Sequence, residues 1–467
     1  MLDFWGLSGT EPALVSLVGG GGKTSLMVAL AQALAANGRA TLVTTTTRIF
    51  TTQLTLAPAA LTEAKASPDR LQATLARHGW CMVVGQLNGE KAQGVAIERP
   101  AQWLAQPGVD VVLVEADGSR MRPFKVPADH EPVVPPETTL LIPVVGVQAV
   151  NGRIATTAHR PERVVALAQL LRPNRARPVT LNSRLTPALI AQLLTHRQGG
   201  LKDAPAAARI IPFINQIETA VHFKQARQIA SMALRSPTVA SVLLGTAQGI
   251  TPVWERHERI TAVILAAGES KRMGPVTKQL LPWGQTTVLG QTIAHAQASS
   301  LFDCLVVTGH EAEAVAAVAQ AANVPTIYNP NYAAGEMLSS LKTAVAHLPA
   351  QTQAVLVMLA DQPLVDKPII DQLLHAYWRG ESDLIAPTYN GQRGNPVLIG
   401  RAYFEELLAL PTGAAPRDLL RRHQERLHLV PVHSDAILTD LDRPEVYEAA
   451  LSRLQKSQRV YSVKRKA

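Results

Sequence analysis

Cysteine is nearly missing from this sequence: only Cys81 and Cys304 occur. Two thiols so far apart rule out a disulfide framework and a thiolate metal cage. Aromatic residues make up only 4%, so the cores are expected to be aliphatic, and no basic stripe interleaved with aromatics offers a stacking platform for nucleic acid. No run of 18 or more apolar residues occurs, which argues against a helical membrane span. The opening stretch MLDFWGLSGTEPALVS lacks a basic region ahead of an apolar core and does not read as a signal peptide. A cytoplasmic protein without a nucleic-acid or membrane partner is the expectation. Acidic residues are outnumbered, 36 against 45 Lys and Arg, for a net charge of +9. The basic residues are mostly dispersed, apart from Lys456, Arg459, Lys464, Arg465 and Lys466 near the end. A basic surface suits an enzyme whose ligands are polyphosphates.

A chain of 467 residues exceeds one hydrophobic core and predicts two or three domains. ALVSLV at 13–18, a run of glycines, an Ala/Leu-rich helix and then ATLVTTTT form a strand–turn–helix–strand opening, as in an α/β domain. VDVVLVEADGS, TLLIPVVG, RPVTLN, ARIIPFIN and VASVLLG continue that character. Residues 250–259 (ITPVWERHER) are polar and carry Pro252. The alternation then restarts at Ile260 with ITAVILAAG. The expected organisation is an α/β nucleotide-binding domain at 1–250, a linker at 251–259, a second α/β domain at 260–450 and a basic tail at 451–467.

GGGGKTS, Gly19 to Ser25, lies between an apolar strand and a helix, the context a phosphate loop needs. Gly20, Gly21 and Gly22 let backbone amides crowd around phosphate oxygens. Lys23 can neutralise the distal phosphates, and Thr24 can place a hydroxyl on magnesium. The helix start adds its positive end. Leu17 stands where the full pattern has glycine, so the run can also be read as a purely structural turn. Glu115 and Asp117 end the strand VVLVE on one side of it, where carboxylates can hold a metal; Asp117 can equally cap a turn before Gly118. Thr44 to Thr47 offer hydroxyls to a phosphate or to their own loop. His130 and Glu131 sit in a proline-bounded loop.

In the second half, LAAGESKRMG (265–274) followed by Lys278 forms a tight turn after a buried strand. Backbone at Ala266, Ala267, Gly268 and Gly274 is placed to hold base and phosphate, while Arg272 and Lys278 offset charge on a triphosphate and departing pyrophosphate. Asp361 ends the strand AVLVMLA and is placed to hold magnesium. Asp440 or Asp442 of DLDRP can complete that metal site, although both also fit a turn around Pro444.

These stretches resemble two families. GGGGKT, TTTTRIF at 44–50, VEADGSRMRPFK at 114–125, HEPVVP at 130–135 and LLTHRQGGLKDAP at 193–205 resemble the YqeC family, found with selenium-dependent molybdenum hydroxylases. That resemblance implies a P-loop-like domain binding ATP or GTP, and a hydroxylase client of the xanthine dehydrogenase type. Where related nucleotide folds carry a base-reading NK..D stretch, this chain has Asn215, Gln216 and Glu218, which leaves base choice open. LAAGESKRMG, KQLLPWG, VVTGHE, NPNYAAGEMLSSL, LADQPLV, GQRGNPVLI and TDLDRPEVY resemble the MobA-like nucleotidyltransferases, most closely their molybdenum cofactor cytidylyltransferase branch. That implies a Rossmann-like domain transferring CMP from CTP to Mo-molybdopterin, with Mg2+ required and pyrophosphate released. It also places Gly335, Ser339, Ser340, Gly394, Asn395 and Pro396 on the acceptor side, Asn395 standing where many relatives carry His. The methyl of Ala267, where guanylyl-transferring relatives resemble LAGG, is expected to narrow the space beside the base and favour cytosine. A guanylyl or sugar-phosphate nucleotidyltransferase, and a non-catalytic cofactor-binding maturation factor, are the alternatives.

Overall fold

The computed structural model describes residues 1–172, 177–249, 251–270, 273, 276–333 and 336–464, with the side chains of residues 336 and 455–464 outside the description. The chain forms two compact units, Met1–His257 and Glu258–Ala467. Both are α/β.

The first unit is built on β1 (Ala13–Gly19), a strand buried on both faces, which explains its unbroken apolar run. Helix α1 (Lys23–Ala36) follows. Strands β2 (Thr41–Thr45), β3 (Ala60–Thr62), β4 (Trp80–Val84) and β5 (Val111–Glu115) lie on one side of β1, in the order β1-β5-β2-β4-β3, all parallel. On the other side come β6 (Leu140–Gly146), β7 (Phe213–Asn215) and β8 (Val242–Gly245), also parallel. Because β5 and β6 flank β1 on opposite sides, the loops after these three parallel strands meet at the carboxyl edge of the sheet, the edge where α/β sheets bind ligands.

The stretch expected as a linker is largely part of this unit. Residues Val253–His257 form β9, an antiparallel edge strand on β8. Its polar composition hid an alternation in which Val253, Glu255 and His257 are the inward residues. Glu255 is only 1% exposed, and it is held there by Arg227 Nε at 3.0 Å and His257 Nε2 at 2.8 Å. Burial alone would push the Glu255 carboxyl up, but those two partners outweigh it and hold it at about 2.

In the second unit, β10 (Ile260–Leu265) lies between β11 (Asp303–Thr308) and β13 (Ala354–Leu359), all parallel, with β12 (Thr326–Tyr328) beyond β11. Past β13 the sheet turns mixed. Strand β15 (Val397–Gly400) runs antiparallel to both β13 and β14 (Leu384–Tyr389), and β16 (Leu427–Pro431) runs parallel to β14. Side chains of β10 alternate between two cores: Ala262 and Ile264 on one face, Val263 on the other. Burying a side chain the size of Ile264 or Val263, both 0% exposed, stabilises the fold by roughly 1.5–3 kcal/mol.

Much of the expected basic tail is helix: α2 runs from Pro444 to Lys464. Pro444 is preset for a first helical position. Val446, Tyr447, Ala450, Leu451 and Leu454, at helical spacing, pack with Trp283, Val288 and Leu441. Basic residues on such a helix do not oppose it, which is why charge alone misplaced its start. Among the described residues, no helix is long and apolar enough to cross a membrane. Both cysteines are free and buried, and burial pushes each thiol up to about 12.

Candidate functional site

The first site forms where β1 turns into α1. Gly19, Gly21 and Gly22 have φ of 96°, 85° and 110°, which favours glycine. The run is also crossed closely by other backbone. A Cβ on Gly20 would stand 2.5 Å from the Arg122 carbonyl oxygen, and one on Gly21 would stand 2.2 Å from the Gly146 amide. The Gly20 and Gly21 amides donate to the carbonyls of Val144 and Arg122. The glycines therefore serve packing, while the first turn of α1 leaves its leading amides without intrahelical acceptors.

Lys23 is 3% exposed. Its ammonium donates to the Gly19 carbonyl at 2.6 Å and pairs with Asp117 at 3.2 Å and Glu115 at 3.9 Å. The Thr24 hydroxyl donates to Glu115 at 2.9 Å. Asp117 accepts the Gly19 amide at 3.0 Å. Burial, the largest influence, pushes the Glu115 carboxyl up, opposed by Lys23 and Thr24. The fold thus gathers Gly20, Gly21, Gly22, Lys23, Thr24, Glu115 and Asp117 around one turn. Thr44, Thr45 and Thr46 instead donate to the carbonyls of Val83, Glu115 and Val133, so these hydroxyls hold the loop together. His130 is exposed.

Sequence reasoning missed Lys125. Its buried ammonium bridges Asp117 at 3.0 Å and Glu131 at 2.9 Å. Burial acts to raise the Glu131 carboxyl, but Lys125 and Arg160 outweigh it and hold it at about 2. The available signal was a lysine between Phe124 and Val126 in an apolar segment, a place where a charge needs a partner.

The second site lies at the carboxyl ends of β10 and β13. The Lys278 ammonium stands between the carboxylates of Asp361 and Asp442, 2.5 Å from the latter. Burial would lower its pKa, but the two carboxylates outweigh burial and raise it above its ordinary value. Asp440 accepts from the Gln362 side chain at 2.6 Å. Burial, then the nearby Asp361, pushes the Asp440 carboxyl up. The Leu441 amide donates to the Asp361 carbonyl at 3.2 Å, so the DLDRP segment is tied directly to the end of β13.

Gln279 fixes the glycine turn. It is 2% exposed and donates to the carbonyls of Ala266 at 3.0 Å and Gly268 at 3.3 Å. Ser270 Oγ donates to Gln279 and accepts the Lys278 amide, both at 3.1 Å. Among the described residues, an added Cβ on Gly268 would meet nothing within 4 Å. Neither Gln279 nor Ser270 was singled out from sequence, because uncharged polar residues in a loop string carry little signal until their partners are seen.

Residues 15–162 match the family described as "YqeC protein", and residues 262–427 match "MobA-like NTP transferase domain". Over 248 residues the chain is 32% identical to "Uncharacterized protein YqeC" of Escherichia coli K12, covering 51% of this chain and 89% of that protein. Over 197 residues it is 31% identical to the "Molybdenum cofactor cytidylyltransferase" of the same organism, covering 42% of this chain and 96% of that protein. The solved structure of Rv0371c from Mycobacterium tuberculosis H37Rv is 27% identical and covers 42% of this chain and 98% of that one, with a TM-score of 0.37. The chain joins a YqeC-family unit to a MobA-like nucleotidyltransferase unit.

Within the nucleotidyltransferase unit, the remaining expected residues fall in two places. Gly394 and Asn395 lie against Ile437, the Asn395 amide donating to its carbonyl at 3.0 Å. A Cβ on Gly394 would come within 2.2 Å of that same carbonyl oxygen, so Gly394 and Asn395 adjoin the segment carrying Asp440 and Asp442, and Pro396 follows. Ser339 and Ser340 receive the Asn329 amide at 2.7 and 3.0 Å, which ties them to the loop after β12. Arg272, Gly274 and Gly335 lie outside the described residues. Ala267 is buried and packs in the core with Val307 and Leu338. Among the described residues, no three or more His, Cys, Asp or Glu form a metal-holding group.

Proposed function

We propose that the nucleotidyltransferase unit transfers CMP from CTP to Mo-molybdopterin, and that the YqeC unit binds a purine nucleoside triphosphate through Lys23 and Thr24. The observation that carries the first reading is the Lys278 ammonium held between Asp361 and Asp442 beside a glycine turn pinned by Gln279. A cation already balanced by two carboxylates at a sheet's carboxyl edge is a place for a triphosphate and its counter-ion. The 31% identical relative named for cytidylyl transfer supports the choice of CTP.

In this reaction a terminal phosphate oxygen of the acceptor attacks the α-phosphorus. The new phosphorus–oxygen bond forms as the bond to the β-phosphate bridging oxygen breaks, and pyrophosphate leaves with the electron pair. Lys278, with Arg272, offsets the negative charge that grows on the departing phosphates. The Ala266–Gly268 turn, fixed by Gln279, orients the nucleotide, and Gly394, Asn395 and Pro396 flank the acceptor. The donor set fits Mg2+, which takes one or two carboxylates beside substrate phosphates. Asp361, with Asp442 or Asp440, would hold it, and it would neutralise the triphosphate. A molybdenum hydroxylase of the xanthine dehydrogenase type is the proposed client.

Pyrophosphate release by the full chain carrying Lys23→Ala, with Mo-molybdopterin and each nucleoside triphosphate, tests the transfer reading. CTP is expected to be the preferred substrate. Equal or better turnover with GTP would overturn the cytidylyl assignment.

A further inference from the structure

Three loops of the YqeC unit are laced together beside the glycine turn, on the flank opposite Glu115 and Asp117. They follow β6, β7 and β8, which are parallel neighbours, so they leave the sheet at the same edge as the glycine turn after β1. Asn215 ends β7 and is 3% exposed. Its side-chain NH2 donates to the Gly21 carbonyl at 2.7 Å, and its oxygen accepts the Ala247 amide at 2.8 Å. The Thr246 hydroxyl donates to the Ile217 carbonyl at 2.8 Å. One buried amide thus sets the spacing between the phosphate turn and the loop after β8.

Two further side chains in this corner are incompletely engaged. Gln216 holds a φ of 65°. Its side-chain oxygen is buried over Gly146 without a hydrogen-bond partner among the described residues. Glu218, three residues after Asn215, is exposed, and both its carboxylate oxygens receive only long hydrogen bonds from Gln148, at 3.3 and 3.4 Å. A bond that long is easily exchanged for a ligand's.

We propose that this corner reads a guanine base through Glu218, making the nucleotide of the YqeC unit GTP rather than ATP. The inference rests on the nucleotide-binding reading of the glycine turn. With the phosphates over Lys23 and the Glu115–Asp117 flank occupied by ion pairs, the base extends toward β7 and β8. An ionised carboxylate only accepts hydrogen bonds. Guanine presents a ring N–H and an amine side by side, two donors for two carboxylate oxygens. Adenine presents an amine beside a bare ring nitrogen, whose lone pair would face the second oxygen. Asn215 is a positioning residue: it holds the base-side loop at a fixed distance from the phosphate turn.

The test is calorimetric binding of GTP, ATP and xanthosine triphosphate to the full chain. Heat from the Lys23→Ala chain is subtracted, so that only the YqeC unit is read. GTP is expected to bind about tenfold or more tighter than ATP, the discrimination a bidentate base contact provides. Xanthine replaces the amine of guanine by a carbonyl, so the carboxylate repels it. In Glu218→Gln the carboxamide donates to that carbonyl while accepting the ring N–H, and the preference is expected to move from GTP to xanthosine triphosphate. The ratio is internal to one preparation, so a change in stability of the variant does not obscure it. ATP binding as tightly as GTP, or an unchanged ratio in Glu218→Gln, would overturn the guanine assignment alone. The absence of any Lys23-dependent heat would overturn the nucleotide-binding reading and the base assignment with it.

Discussion

Replacing Asp361 with Asn separates chemistry from folding, because the side chain keeps its size and loses one charge. Were the three aspartates a metal site and nothing else, the metal-free domain would be unaffected or relieved of repulsion. The structure reverses that sign: Asp361 is one of two carboxylates holding the Lys278 ammonium, with side-chain exposures of 10% and 18% for the pair. A hydrogen bond to a charged partner is worth about 1.5–3 kcal/mol. Lys278 keeps Asp442 and some water, which reduces the expected loss to about 1–2 kcal/mol. For a unit of this size that is roughly a 3–6 °C lower melting temperature. Activity is expected to fall about 100-fold or more, the scale of losing a major electrostatic contact to the transition state. Mg2+ with CTP should stabilise the parent more than the variant, since a ligand stabilises by its affinity for the folded state. Melting and pyrophosphate release are measured in parallel, with and without Mg2+ and CTP. Full activity in the variant would remove Asp361 from the site. A chain that fails to fold in every condition would reduce Asp361 to a structural ion-pair partner.

Two other outcomes test the YqeC unit. Gly21→Ala, with φ of 85° and a backbone amide 2.2 Å from the added Cβ, should lose nucleotide binding and lower the melting temperature, whereas Gly118→Ala, whose Cβ meets nothing within 4 Å among the described residues, should do neither; equal melting of the two would refute the close-approach argument. Acid should weaken this unit in two steps. Burial holds His257 below its ordinary 6.5, and His257 and Arg227 hold Glu255 at about 2 against an ordinary 4.5. The unfolded chain therefore binds more protons, so stability is full above 6.5 and is lost first as His257 takes up a proton, then between 4.5 and about 2 as Glu255 does. A denaturant midpoint that stays constant from pH 7 to 4 would refute this, and Glu255→Gln should flatten the lower part of the curve.

Several features were legible without coordinates because each is local. Continuous apolar runs such as ALVSLV and AVLVML define doubly covered strands, and the residues after such strands emerge where ligands bind. That logic placed Lys23 with Glu115 and Asp117, and Asp361 at the end of β13. The boundary at 251–259 was misread because Glu255 and His257 look like solvent residues until Arg227, from a helix far back in the sequence, is seen to neutralise them. The tail was misread because charge hid the apolar stripe that packs α2 on Trp283.

What the sequence alone determined is the list of chemical groups and the strand ends that carry them. Only the tertiary structure decided their pairing: the Lys278 ammonium between Asp361 and Asp442, Gln279 beneath the glycine turn, Lys125 between Asp117 and Glu131, and Asn215 between Gly21 and Ala247. Each of these pairs spans a distance in the chain that no periodicity encodes. Each exists because a buried charge or amide must find a partner once the sheet has removed it from water.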